Sequence, residues 1–168
     1  MDKRRFRWLW LSLAVVLADR ATKAMFELYT PEGYRHELLH NFIYLVHSRN
    51  PGIAFGLFAD TASPWARVAL VAASIVVVAV LTWLLVAGHA RGWMSGAGLA
   101  LIIGGAAGNN LVDRLLHGGV TDFFEVLIRS YHWPAFNLAD SAITVGAALL
   151  IFELLFGASR TSGEPRKG

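Results

Sequence analysis

The stretch WARVALVAASIVVVAVLTWLLVA (65–87) consists almost entirely of Ala, Val, Leu and Ile. Crossing the hydrocarbon core of a bilayer takes about 20 mostly apolar residues, so this segment reads as a lipid-facing transmembrane helix. Outward from it, three more stretches qualify, at 8–28, 96–116 and 136–156. Those three carry polar residues, which makes them the places to look for function. The expected fold class is an all-α membrane protein with four transmembrane helices in one membrane domain, 1–168. Loops 29–64 and 117–135 join the spans on one side. A small extended, β-like extracytoplasmic platform is expected between the first span and the second.

Composition agrees. The 168-residue chain is 55% hydrophobic and 16% charged, with mean hydropathy +0.48, against about 25% charge in an ordinary soluble domain. It has no cysteine, so thiol nucleophiles, disulfides and thiolate metal ligands are excluded. The basic residues are not interleaved with aromatics on a polar face, so no nucleic-acid partner is expected. Asp19, Arg20 and Lys23 interrupt the first apolar run and no small-residue cleavage site follows. Segment 8–28 is therefore expected to be a span and not a cleaved signal peptide.

Four spans put both termini on one side. That side holds Lys3, Arg4, Arg5, Arg7, Arg91, Arg160, Arg166 and Lys167; the opposite loops hold only Arg35, Arg49 and Arg129. The positive-inside rule makes the termini cytoplasmic and turns the two long loops outward, to the periplasm of a Gram-negative cell. Trp8, Trp10, Trp65, Trp93 and Trp133 lie near span ends, where interfacial anchoring is the plain reading.

Ionisable residues inside spans are costly and mark functional candidates. Asp19 lies 12 residues beyond Arg7, about 18 Å at 1.5 Å per residue, hence in the outer half. Lys23 is one turn further on the same face, so the two can pair. Asn109, Asn110, Asp113 and Arg114 end the third span at a similar depth, with Asp122 just beyond; Asn137 and Asp140 begin the fourth. Each has a plain reading: a structural Asp19–Lys23 pair, a helix-end Asp113–Arg114 pair, Asn137 as a helix cap. Asp122 and Asp140 have no basic partner in their own segments. Two carboxylates held close share a proton, so one can act as base on water and the other as acid toward a carbonyl.

A competing pattern lies in the first outward loop. His36, Glu37 and His40 spell H-E-x-x-H, which in a helix places two zinc ligands and a base on one face. Here Pro31 and Gly33 precede it and the alternating NFIYLVHS (41–48) follows, so an extended segment is expected. In a strand rising about 3.3 Å per residue, residues four apart sit too far apart to share one ion.

Five blocks in order decide the wider reading: ADRATK (18–23), RNPGIAF (49–55), GNNLVDR (108–114), GGVTDF (118–123) and FNLADSAITVG (136–146). Together they resemble the bacterial lipoprotein signal peptidases, signal peptidase II. The resemblance implies a multi-pass inner-membrane aspartyl endopeptidase that removes the signal peptide of a diacylglyceryl-modified prolipoprotein before its lipidated cysteine. It implies Asp122 and Asp140 as the catalytic pair. It implies Asp19, Lys23, Asn50, Gly52, Asn110, Asp113, Arg114, Asn137 and Ala139 as residues that line or support the substrate pocket, where the inhibitor globomycin also binds. No metal and no cofactor are implied; the partners are prolipoproteins and membrane lipids, and the protein is expected to be a monomer. Two departures stand out. The family usually reads Gly-Asn-x-x-Asp-Arg, whereas GNNLVDR has one extra residue; α-helical i, i+3 spacing to Asp113 favours Asn110 over Asn109 as the family asparagine. Pro51 inside RNPGIAF is the other, at a turn before Gly52.

Three rival readings remain open at this stage. A Ser141–Lys23 dyad would be a different peptidase chemistry. A small transporter or proton-relay protein would use the same intramembrane aspartates. A zinc peptidase would use His36, Glu37 and His40.

Overall fold

The computed structural model describes residues 3–50, 64–90 and 92–156. Pro51 and Gly52 lie outside them, as do Arg91, Arg160, Arg166 and Lys167. Helix α1 (Lys3–Tyr29) is followed by strands β1 (Arg35–Leu39) and β2 (Ile43–Asn50). Helix α2 (Pro64–Ala87) leads to α3 (Trp93–Ala106), which runs on through a π-helical stretch (Ala107–Asp113) into a single closing turn, α4 (Arg114–Leu116). Strands β3 (Val120–Ile128) and β4 (Tyr131–Phe136) come next, and α5 (Leu138–Phe156) is the last described element.

Three of these helices are long and apolar enough to cross a membrane: Val68–Ala87, Trp93–Leu116 and Leu138–Phe156. Helix α1 has the length, 27 residues, but Asp19, Arg20, Lys23 and Glu27 set it apart by composition. The outer faces of α1, α2 and α5 are apolar and exposed, with Leu17, Val76, Trp83, Val145 and Leu154 among them. A surface of that kind suits hydrocarbon and not water.

Helix α3 is the buried centre. Its small residues let neighbours approach to backbone contact, as small-residue faces do where lipid supplies no hydrophobic drive. A Cβ placed on Gly98 would lie 2.8 Å from the Gly146 carbonyl oxygen of α5, and one on Gly146 would lie 2.7 Å from the Gly98 oxygen. Ser12 Oγ of α1 donates to the Ala100 carbonyl at 2.8 Å. Leu85, Leu99 and Ile103 form the apolar core. Trp8, expected at the interface, packs inward against that core. Gly98→Val is expected to destabilise the α3–α5 pair by about 1–3 kcal/mol, the usual penalty of overpacking. Thermal unfolding in detergent reads this; an unchanged midpoint would mean the two backbones do not touch.

The chain is mostly helical but not all-α, and the platform is larger than expected. Among the described residues it is a four-stranded antiparallel sheet in the order β1-β2-β3-β4, with two strands from each long loop. β2 alternates and is legible. β3, VTDFFEVLI, begins with four buried residues in a row, so its two faces give no period-2 pattern to read. The sheet joins the helices through β3: Phe26 of α1 stacks on Phe123 with ring centroids 4.7 Å apart.

Candidate active site

The start of α5 is built by a local rule. Asn137 is its N-cap: its Oδ1 accepts the Asp140 backbone N–H at 3.0 Å, while Asp140 Oδ2 accepts the Asn137 backbone N–H at 3.1 Å. This reciprocal pair is a capping box made from Asn and Asp. It confirms the capping role expected of Asn137 and pins the Asp140 carboxyl to the helix end. Ser141 Oγ donates to the Asn137 carbonyl at 3.0 Å.

The Asn137 side chain does a second job. Its Nδ2 donates to Asp122 Oδ1 at 2.6 Å, so one residue joins the two candidate aspartates. Side chains alternate along a strand, so Asp122 faces opposite to Thr121 and Phe123. Those two pack toward α1, and Asp122 lines a cleft of about 600 Å³ together with Asp140. Burial pushes the Asp122 carboxyl up to about 7; the nearby Asp140 adds to this, against the hydrogen bond from Asn137. Asn50, at the end of β2 opposite Val120, lines the same cleft with Asn109, Asn110, Arg114 and Ser141.

Behind the aspartates is a buried ionic cluster. Lys23 is fully buried, and its Nζ donates to Asp19 Oδ2 at 2.7 Å, Asn109 Oδ1 at 2.5 Å and Asp113 Oδ2 at 2.5 Å. Asn109 Nδ2 then donates to Asp140 Oδ1 at 2.8 Å, so a buried cation reaches the site through one amide. Asp19 Oδ1 accepts the backbone N–H of Ala139 at 3.0 Å, one of the orphan donors at the start of α5. The Asp19–Lys23 pair stands as expected. Among the described residues no Asp113–Arg114 pair is seen: the Asp113 oxygens are taken by Lys23 and by Arg20 Nη1 at 3.0 Å, and Arg114 Nε donates to Asn110 at 3.1 Å. Lys23 and Ser141 each hold other partners, so the Ser–Lys dyad is not assembled among the described residues.

The His36–His40 block forms β1 and the turn after it, as an exposed edge strand and not a helix. Glu37 accepts the Asn41 backbone N–H and lies 3.2 Å from His40 Nδ1. Among the described residues no group of three or more His, Cys, Asp or Glu is arranged to hold a metal.

A sequence model of the signal peptidase (SPase) II family matches residues 11–156. The chain belongs to the signal peptidase II family. The lipoprotein signal peptidase of Burkholderia thailandensis is 46% identical over 150 residues, which cover 88% of this chain and 87% of that protein. That of Paraburkholderia phytofirmans is 44% identical over 148 residues, covering 88% and 84%. Among solved structures, a bacterial membrane enzyme determined by the in meso method at 2.3 Å resolution superposes with a TM-score of 0.79. It is 28% identical, and the match spans 96% of this chain and 93% of that one. Membership in the signal peptidase II family makes this chain a membrane protease.

The block GNNLVDR is also where the helix leaves α geometry. A π turn closes i to i+5 and takes in one residue more than an α turn. The residue that GNNLVDR has beyond Gly-Asn-x-x-Asp-Arg lies inside Ala107–Asp113. The preference for Asn110 rested on α-helical spacing, which does not hold here. Lys23 binds Asn109 and Asp113 together, four residues apart, while Asn110 turns to Arg114. Sequence reading also missed Arg20, Glu27 and Thr121. Arg20 and Glu27 are joined by an ion pair, and Thr121 Oγ1 donates to Glu27 Oε1 at 2.7 Å. The acid–base spacing of Arg20 and Glu27, seven apart on one helix, was the available signal.

Proposed function

We propose that this protein is an aspartyl endopeptidase that removes the signal peptides of lipoproteins, with Asp122 and Asp140 as its catalytic pair. The observation that carries the reading is the Asn137 bridge: one cap residue donates to Asp122 at 2.6 Å and to Asp140 at 3.1 Å, beside an open cleft. The substrate is a diacylglyceryl-modified prolipoprotein cut before its lipidated cysteine, and globomycin occupies the same cleft. The four long helices all cross the inner membrane, with cytoplasmic termini and the site near the outer face. Helix α1 crosses despite its charges because Lys23 and Asp19 are paired inside the protein, which removes most of the penalty for their burial. The protein works as a monomer.

In the reaction a water between the carboxyls attacks the scissile carbonyl. Asp140 accepts N–H bonds from Asn109 and Asn137, which suits an ionised acceptor, and it takes the water's proton. Asp122 keeps its proton up to about pH 7 and donates toward the carbonyl oxygen as charge develops there. Gly52, Asn50, Asn110 and Arg114 orient the peptide; Asp19, Lys23, Asp113, Asn137 and Ala139 hold the pair in place. The two carboxyls and a water complete the chemistry without a metal or cofactor.

The direct test uses purified protein in detergent with a diacylglyceryl-modified prolipoprotein and its unmodified precursor, followed by gel shift. Cleavage of the modified form alone is expected; cleavage of neither would overturn the assignment. The pH profile carries a second expectation. An unfolded Asp122 ionises near its ordinary 3.8 and the folded one near 7. Its contribution to folding stability is therefore greatest below about pH 4, falls as pH rises to about 7, and is flat beyond. The rate kcat/KM is expected to fall about tenfold per pH unit above 7, as the required proton leaves. A rate still level at pH 9 would mean that Asp122 is not the acid.

A further inference from the structure

Resting on the reading of Asp122 as catalytic, we infer that Glu27 is a positioning residue for Asp122, acting through the hydroxyl of Thr121. Two anchors on α1 hold β3 on either side of Asp122. On one side Thr121, 1% exposed, donates its Oγ1 to Glu27 Oε1 at 2.7 Å. On the other, Phe123 stacks on Phe26 with an interplanar angle of 10°. Residues 121 and 123 share a strand face, so fastening both to α1 turns Asp122 to the opposite face, toward Asn137 and the cleft.

Glu27 is itself held in place. Its Oε2 pairs with Arg20, whose Nη1 bonds Asp113 Oδ1 at 3.0 Å, and Asp113 Oδ2 bonds Lys23. A ladder of Lys23, Asp113, Arg20, Glu27 and Thr121 thus runs from the buried cluster behind Asp140 to the backbone of β3. It joins the two aspartates on the side away from the substrate, while Asn137 joins them at the cleft. The stack alone fixes the distance between β3 and α1 but lets the strand slide in the ring plane. The directional Thr121–Glu27 bond removes that freedom.

The test compares Thr121→Val, which keeps the shape and loses the hydroxyl, with Glu27→Leu, Thr121→Ser and the double replacement Thr121→Val/Glu27→Leu. Asp122→Asn is run beside them, and kcat and KM are measured separately on the modified prolipoprotein. Each single break is expected to lower kcat between about tenfold and a hundredfold, the usual effect of a displacement on the order of 1 Å, with KM within about twofold. Thr121→Ser is expected to recover most of that loss. The double replacement is expected to be no worse than Glu27→Leu alone, because Glu27→Leu already removes the bond that Thr121→Val removes. A merely structural role would lower the yield of folded protein and leave kcat per folded molecule unchanged. Wild-type kcat in folded Thr121→Val or Glu27→Leu overturns the inference, as do additive losses or failure of Thr121→Ser to recover. If Thr121→Val does not fold, Glu27→Leu carries the test from its partly exposed site. Normal cleavage by Asp122→Asn would instead remove the catalytic reading itself.

Discussion

Asp140→Asn is expected to lower kcat by about 10³-fold or more, and Asp122→Asn by a similar factor, with both proteins folded. General acid and general base catalysis each contribute about 10²–10⁴-fold, and residues acting as one unit lose nearly everything when either is removed. The substitution keeps size and shape. At position 140 an amide can still accept one of the two N–H bonds from Asn109 and Asn137, so binding should survive while water activation is lost. At position 122 the amide can still meet Asn137 but holds no proton to transfer. KM is therefore expected to change little and the double variant to be no worse than either single one. Glu37→Gln serves as the control, because Glu37 lies on an exposed edge strand, and a chelator is expected to leave the rate unchanged. If Glu37→Gln were inactive and Asp140→Asn cut normally, the H-E-x-x-H block would be the active site.

Lys23→Met is expected to be the most destabilising single change in the outer half of the bundle, by about 3–5 kcal/mol. Removing one member of a buried ionic group strands the others without a countercharge. Here the loss would leave Asp19 and Asp113, each 1% exposed, facing a thioether, with Arg20 still on Asp113. Asn109 would lose the ammonium that orients its Oδ1 and so would hold Asp140 less firmly. The signature is a large fall in the detergent melting midpoint together with a fall in kcat. Adding Asp19→Asn to Lys23→Met is expected to recover part of the stability, because it removes one stranded charge. A melting midpoint equal to wild type in Lys23→Met would mean that the cluster is not ionic in the folded protein.

Several of these contacts were open to direct reading. The pairing of Asp19 with Lys23 follows from i, i+4 spacing on a regular helix, and Asn137 as a cap follows from a polar residue before an apolar run. The pattern of five blocks singled out Asp122 and Asp140. Arg20 and Glu27 were open to reading only as charges on a helix; the bond from Thr121 to Glu27 crosses 94 positions in the chain. Asn109 and Asn110 could not be sorted, because the choice depended on an α-helix that is locally a π-helix.

The sequence by itself determined the membrane class and the family, and it put forward four long apolar or near-apolar segments as spans and the two aspartates as the candidate pair. All of these rest on local quantities: hydropathy over about 20 residues, spacing along one helix, and short motifs. The tertiary structure decided how the second long loop completes the sheet, that Asn109 rather than Asn110 donates to Asp140, and which basic groups hold Asp113. It also decided that Asn137 joins the two aspartates across 15 residues. The physical reason is that a buried polar group must find a partner wherever the fold brings one near. That partner is chosen by packing between elements, and no periodicity within a single element records it.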